Sequence, residues 1–373
     1  MGVWCLMVAA VLCHTQWSIS GASVSNLLEG CEVTQFDQVE DAVQKCDTII
    51  FDNLFVPAGE TLNLQLRYNS TVYFRGNTTF GYSEWDGPLV AISATDSVIE
   101  GEDGSSFNGQ GELYWDGLGI WGSLKPNFFQ LRLHNTAMSN IVVLNPPKHS
   151  VILQDSTNVE LIAWTIDASA GAETGGVEVG QNTDGFIVKN STYVVLQNSV
   201  VYNQGDCVGL CSGAHILVDD VICYGGHGLT LSVGLSADNV ELNTLVNVTF
   251  INSILSGGKN AIHIKTHVDG GAGKIEKVVY KNIEFVGLSE YGIIIQENYK
   301  NLLANDTLPV EPKNNIPITD LQLINIVGSV ASSAIPVYIL CAEKGCSDWT
   351  FSQVSVVGSE ANSCNYEPSG FFC

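Results

Sequence analysis

The feature that most constrains this chain is a repeat. From about residue 150, segments of alternating β-branched and polar residues close on Asn or Asp: Val194-Val195-Leu196-Gln197-Asn198, Ile216-Leu217-Val218-Asp219-Asp220, Val248-Thr249-Phe250-Ile251-Asn252, Val278-Val279-Tyr280-Lys281-Asn282 and Leu321-Gln322-Leu323-Ile324-Asn325. The closing residues are spaced by 22, 32, 30 and 43. This fits a coil of about 22 residues with loops of varying length let into later turns. Strands so short cannot bury an apolar face alone. Stacking successive coils into one core solves that, and it lets a single core extend over 373 residues, beyond ordinary single-domain length. An Asn at a fixed turn tolerates left-handed backbone and can hydrogen-bond its copy in the next coil. The sequence therefore predicts an all-β chain folded as a parallel β-helix, a β-solenoid. The competing architectures are a β-sandwich and a propeller, the latter needing about 40 to 50 residues per repeat and a more uniform period.

Composition agrees. The chain is 45% apolar with 14% charged residues and 37 glycines, too hydrophobic for disorder and too poor in charge for a helical bundle. The formal charge is −24, without a Lys/Arg cluster, which excludes a nucleic-acid or anionic-membrane partner and otherwise reads as a solubilising acidic surface. Before residue 110 the pattern is less regular. Asp41-Ala42-Val43-Gln44-Lys45-Cys46 reads as a short amphipathic N-terminal helix capping the first coil, because an open solenoid end would expose apolar core. No linker rich in Pro, Ser or charge interrupts the chain, so residues 23–373 read as one domain.

Val3 to about Cys13 is an apolar run of signal-peptide length, followed by the small residues Ser18, Ser20 and Ala22, so residues 1–22 read as a signal peptide. No later apolar run reaches the roughly 18 to 20 residues that span a bilayer. The expectation is an extracellular, soluble monomer. Sequons at Asn69, Asn77, Asn190, Asn247 and Asn305 fit a glycosylating secretory route. Removing the leader takes away Cys5 and Cys13 and leaves nine cysteines. Short-range partners suggest themselves: Cys31 with Cys46, Cys207 with Cys223, Cys341 with Cys346, and Cys364 with Cys373, each closing a small loop in an oxidising compartment. Cys211 remains, either buried and free or exchanging with Cys207. Cysteine and histidine spacing of zinc type is missing, so neither a metal nor a cofactor is expected.

The chemistry-bearing residues follow the coil length. Asp184 sits in Asn182-Thr183-Asp184-Gly185, Asp206 in Asn203-Gln204-Gly205-Asp206-Cys207, and His227 in Gly225-Gly226-His227-Gly228, at spacings of 22 and 21. Residues so spaced lie on one face of three consecutive coils, each roughly 4.8 Å above the last. Gathering two carboxylates and an imidazole on one face carries desolvation and repulsion that a structural site has no reason to bear. Against that, Asp184 and Asp206 could be Asx-turn residues bonding their own backbone, and spacing alone does not decide. His134, His149, His215 and His267 have no comparable spacing and read as structural or solvent-facing.

These same segments, with His263-Ile264-Lys265, resemble the polygalacturonases, glycoside hydrolase family 28. Tyr114-Trp115-Asp116-Gly117, Lys125-Pro126-Asn127-Phe128-Phe129, Tyr291-Gly292-Ile293-Ile294-Ile295-Gln296 and Cys346-Ser347-Asp348-Trp349-Thr350 extend the likeness over nearly the whole mature chain. The resemblance implies a right-handed parallel β-helix, an extracellular enzyme, hydrolysis of α-1,4-galacturonan with inversion, and no metal. Inversion needs one carboxylic acid to protonate the leaving oxygen and a carboxylate base to activate water on the opposite face. By resemblance Asp184 and Asp206 match the water-activating carboxylates, whereas the family's general acid, the first Asp of Asp-Asp-Cys, is Gly205 here. The family's Arg-Ile-Lys becomes His263-Ile264-Lys265, replacing a bidentate guanidinium with an imidazole charged only in acid. The segment after His227 is also one residue shorter than the family pattern. Lys265, His263, Tyr291, Asn182 and Gln204 are the expected substrate contacts.

Three readings stand: a family pseudoenzyme that binds pectic oligomers or engages plant polygalacturonase-inhibiting proteins as a decoy; a working polygalacturonase in which Asp206 or another carboxylate serves as acid; and a structural cell-surface β-solenoid. Losing a general acid lowers rate by about 10²- to 10⁴-fold, so weak or absent hydrolysis is expected. Pectate-lyase chemistry needs a calcium–carboxylate cluster and an Arg base, for which the sequence offers no match.

Overall fold

Short β-branched strands separated by left-handed turns can pair only with the equivalent strand of the next coil, and the computed structural model is built in that way. It describes residues 31–172, 178–300 and 310–373. The proposed leader, with Cys5 and Cys13, and the Asn305 sequon lie outside the described residues. Every strand pairing among the described residues is parallel, and the coils wind right-handed into one β-helix. The irregular N-terminal sequence belongs to the same solenoid: Cys31–Val33 already pairs with Thr48–Asp52, and that strand with Thr71–Arg75.

Three columns of strands run along the axis. The column that carries the site includes Val151–Gln154, Phe186–Lys189, Val208–Leu210, Leu229–Val233, Asn260–His267, Tyr291–Tyr299 and Ile335–Leu340. Its register is held by an interior file in which Leu153, Val188, Leu210, Leu231, Ile264, Ile295 and Ile339 oppose one another coil by coil, all buried. A slip of one residue would turn this file outward, so burial fixes the register strongly.

The residues that close the repeat adopt left-handed backbone: Asn198, Asp220, Asn252, Asn282 and Asn325 have φ of 53°, 53°, 54°, 54° and 54°. Their amides form a ladder, Asn325 Nδ2 donating to Asn282 Oδ1 at 3.0 Å and Asn282 Nδ2 to Asn252 Oδ1 at 3.0 Å. At its start Asn252 donates to Asp219, the residue beside the expected Asp220.

The capping helix is present but spans Val39–Lys45 rather than 41–46, after a 3₁₀ turn at Phe36–Gln38. It buries Val39, Ala42 and Val43 against the first coil. The disulfides are Cys31–Cys46, Cys207–Cys223, Cys341–Cys346 and Cys364–Cys373. Cys211 is buried and free, which settles its alternative pairing with Cys207.

Candidate functional site

Asp184, Asp206 and His227 each stand two residues ahead of a strand of the site-bearing column, before Phe186, Val208 and Leu229. Those three residues pair in register, so the groups stack on successive coils at the strand entrances. The same rule adds His149, two residues before Val151, which pairs with Phe186 one coil earlier. Its spacing of 35 from Asp184 hid it, because the loop between the two strands lengthens that coil.

Asp184 is held from both sides. Its Oδ1 accepts the backbone N–H of Asp206 at 2.9 Å, and its Oδ2 lies 3.0 Å from Nδ1 of His149. Burial alone would raise this carboxyl, but the His149 imidazole, with His227 and Lys265 beyond it, outweighs burial and holds it well below the usual carboxylate range. Asp206 accepts Thr230 Oγ1 at 2.9 Å and Lys265 Nζ at 3.1 and 3.4 Å, with His227 Nδ1 3.9 Å away. Lys265 is itself buried and lies 5.0 Å above the Tyr299 ring. Burial would discharge it, yet the Asp206 carboxylate overrides this and raises its pKa. Asp184 is thus set up to carry charge, and Asp206 is engaged by Lys265.

Burial disfavours the charged form of three other imidazoles. Burial depresses His227; it depresses His267 to about 4, with the charge of Lys265 assisting. His267 Nε2 lies 3.0 Å from Ser232 Oγ. His263 is buried, with Nε2 3.1 Å from the Gln296 amide nitrogen, and burial lowers it well below the ordinary value. The environment that encloses this ring therefore moves its protonation to lower pH than that of an ordinary imidazole.

His149, Asn182, Asp184, Asp206, His227 and Lys265 border one cleft of about 220 Å³, with Lys189, Cys211, His267 and Tyr299 also on its walls. Asn182 accepts the backbone N–H of Ile120 at 3.1 Å, tying the cleft floor to the 113–124 loop. Three of the expected contacts do not line this cleft: His263 is enclosed against Gln296, and two more lie elsewhere. Gln204 is buried and donates to the Ala168 carbonyl at 2.9 Å, because its side chain is needed to satisfy the loop beneath the site. Tyr291 packs 5.6 Å from Tyr338, beyond the cleft. His149, Lys189, His267 and Tyr299 are cleft residues that sequence spacing did not reveal. At Gly205, an added Cβ would collide with Asp184 Oδ1 and sit 2.8 Å from the Asp184 backbone nitrogen. Asp184 thus occupies the space in which a side chain at 205 would begin.

Comparison with known proteins places this geometry. The family model for glycosyl hydrolases family 28 matches residues 46–373. Endopolygalacturonase A of Aspergillus awamori is 39% identical over 376 residues, spanning 100% of this chain and 98% of the relative. The polygalacturonase of Phaedon cochleariae is 38% identical over 349 residues, spanning 92% and 93%. Endopolygalacturonase I from Stereum purpureum, solved with two galacturonates, superposes with a TM-score of 0.78 at 27% identity, covering 91% of this chain and 98% of that one.

Proposed function

The chain belongs to glycosyl hydrolases family 28, and from that premise we propose that it is an exported protein whose cleft binds galacturonan while its hydrolysis is weak or absent. One observation carries the reading. The position before Asp206 is Gly205, and the nearest carboxylate, Asp184, is held ionised against it by the Asp206 amide and His149. A glycosidic oxygen is a poor leaving group unless a carboxylic acid delivers a proton as the bond breaks. Asp184 in this state is a base, and Asp206 is engaged by Lys265 and Thr230. The site retains what activates or orients water and lacks what protonates the leaving group.

Export rests on the apolar leader, the sequons at Asn69, Asn77, Asn190 and Asn247 on exposed backbone, and four disulfides that persist in oxidising compartments. A protein of this shape that binds without cutting could also occupy inhibitor proteins raised against active relatives. The second reading, a working polygalacturonase, is favoured by the intact Asp184–Asp206–His227 column and by the names of its relatives.

The deciding measurement pairs two assays on the purified natural chain: reducing ends released from polygalacturonic acid, and equilibrium binding of oligogalacturonates to the natural chain and to Lys265→Ala. Binding that depends on Lys265, with turnover at least about 100-fold below an acid-competent relative, is expected. Ready turnover would sink the reading in favour of a working hydrolase. Absence of binding would instead favour a purely structural solenoid.

A further inference from the structure

One wall of the cleft is built for something other than charge. The 113–124 loop is pinned by a buried cation: Lys125 donates to Asp116 Oδ2 at 2.8 Å and to the carbonyls of Gly119 and Ser123 at 3.2 and 3.1 Å. Asp116 also accepts the backbone N–H groups of Leu118 and Ser123 at 3.0 and 2.9 Å. Lys125, which directly follows this loop, is therefore consumed internally, and the loop itself contains no lysine. Beside the exposed Asp116 and Ser123, the loop presents large apolar residues outward: Leu118 is 57% exposed, Ile120 45% and Trp121 60%. Ile120 lines the cleft, and Leu235, 51% exposed, lines it as well. Large apolar side chains clustered in solvent beside a binding cleft mark a contact surface rather than scattered surface residues.

Charge argues about the occupant. Among the described residues that line the cleft, the two lysines Lys189 and Lys265 are matched by the two carboxylates Asp184 and Asp206. Burial keeps the imidazoles of His227 and His267 below their ordinary pKa, and the third imidazole on the cleft, His149, is engaged by Asp184 at 3.0 Å. The chain as a whole carries −24. A fully ionised galacturonan is a polyanion, repelled by that field and met by lysines that the cleft's own carboxylates match in number. Methyl esterification removes one charge from each modified sugar and leaves an apolar methyl in its place.

From this rim and this charge balance we infer that the cleft selects methyl-esterified galacturonan over the free acid form, with Trp121, Ile120 and Leu118 as the contact surface for the esterified sugars. The inference rests on the galacturonan-binding reading above and adds the chemical form of the polymer. An aromatic ring and two aliphatic side chains can cover sugar C–H faces and ester methyls, burying apolar area that an ionised carboxylate would leave hydrated.

The test uses one polygalacturonic acid preparation, half left de-esterified and half chemically methylated, and measures binding to the full natural chain at physiological ionic strength. About tenfold tighter binding of the methylated polymer is expected. Trp121→Ala brings the ratio towards unity, whereas Val98→Ser, which removes an exposed apolar residue remote in sequence from the 113–124 loop, leaves it unchanged. Equal or tighter binding of the de-esterified polymer overturns this inference while leaving galacturonan binding intact. Binding of neither polymer overturns both.

Discussion

Gly205→Asp is the most informative substitution, because it asks the site to take back the acid and the structure says what must yield. A side chain at 205 collides with Asp184 Oδ1, so Asp184 has to rotate away and give up the hydrogen bond from the Asp206 backbone N–H at 2.9 Å. A hydrogen bond to a charged acceptor contributes about 1.5 to 3 kcal/mol, and the 2.8 Å approach to the Asp184 nitrogen adds a backbone shift. A loss of about 2 to 4 kcal/mol in urea denaturation is therefore expected. In exchange, a third carboxyl enters beside two anionic ones, and like charges raise its pKa towards that of a proton donor. Turnover should rise by about 10²- to 10⁴-fold over the natural chain, read as reducing ends from polymers of both low and high methylation. Gly205→Asn separates shape from chemistry: it should lose the same stability and gain no turnover. If Asp and Asn at 205 are equally inactive in folded protein, or if the natural chain already matches the Asp variant, the missing acid is not what limits this site.

Two further outcomes follow from contacts in the structure. Asp184 has a depressed folded pKa of about 2, so its contribution to stability is present above the ordinary carboxylate value and is lost as pH falls towards about 2. His149→Gln removes the largest counterweight to burial, and the natural chain's acid-side loss of about 2 kcal/mol between about pH 5 and about pH 2 should shrink or vanish in that variant's urea titrations. In the asparagine ladder, Asn282→Ala removes the bonds to Asn252 and Asn325 and places a Cβ-bearing residue without a compensating amide at φ of 54°. It should lower thermal-unfolding stability by about 2 to 3 kcal/mol, and Asn282→Gly by about 1 kcal/mol less, since glycine adopts that backbone freely.

The fold was legible because its signal recurs. Asn198, Asp220, Asn252, Asn282 and Asn325 close successive coils, and each also takes left-handed backbone. The column at the site was legible where two coils in sequence had nearly the basic length, as from Asp184 to Asp206 to His227. It was lost wherever a loop lengthened a coil, which is why His149 was invisible by spacing although it stands two residues before its strand like the others. Side-chain direction was not legible at all. Gln204 and Asp206 share one motif, yet Gln204 turns inward to Ala168 while Asp206 faces Lys265 across the cleft. Nor could spacing show that His263 is enclosed, since the fate of that imidazole depends on Gln296 and Tyr299 from the next coil.

This division between a fixed interior and a free outer turn lets position 205 vary without disturbing the fold. The file from Leu153 to Ile339 is buried and sets register, whereas the residues two places before each strand lie outside it and make their contacts along the outer column. Replacing a carboxyl-bearing residue with glycine at 205 removes nothing from the core. It also relieves crowding of three carboxyls on adjacent coils, letting Asp184 settle onto the Asp206 amide and against His149. Lys265 then has Asp206 as its anionic partner at 3.1 Å. On the proposed reading the column is a resting arrangement of ion pairs, and gaining hydrolysis would require disturbing Asp184 as well as supplying an acid.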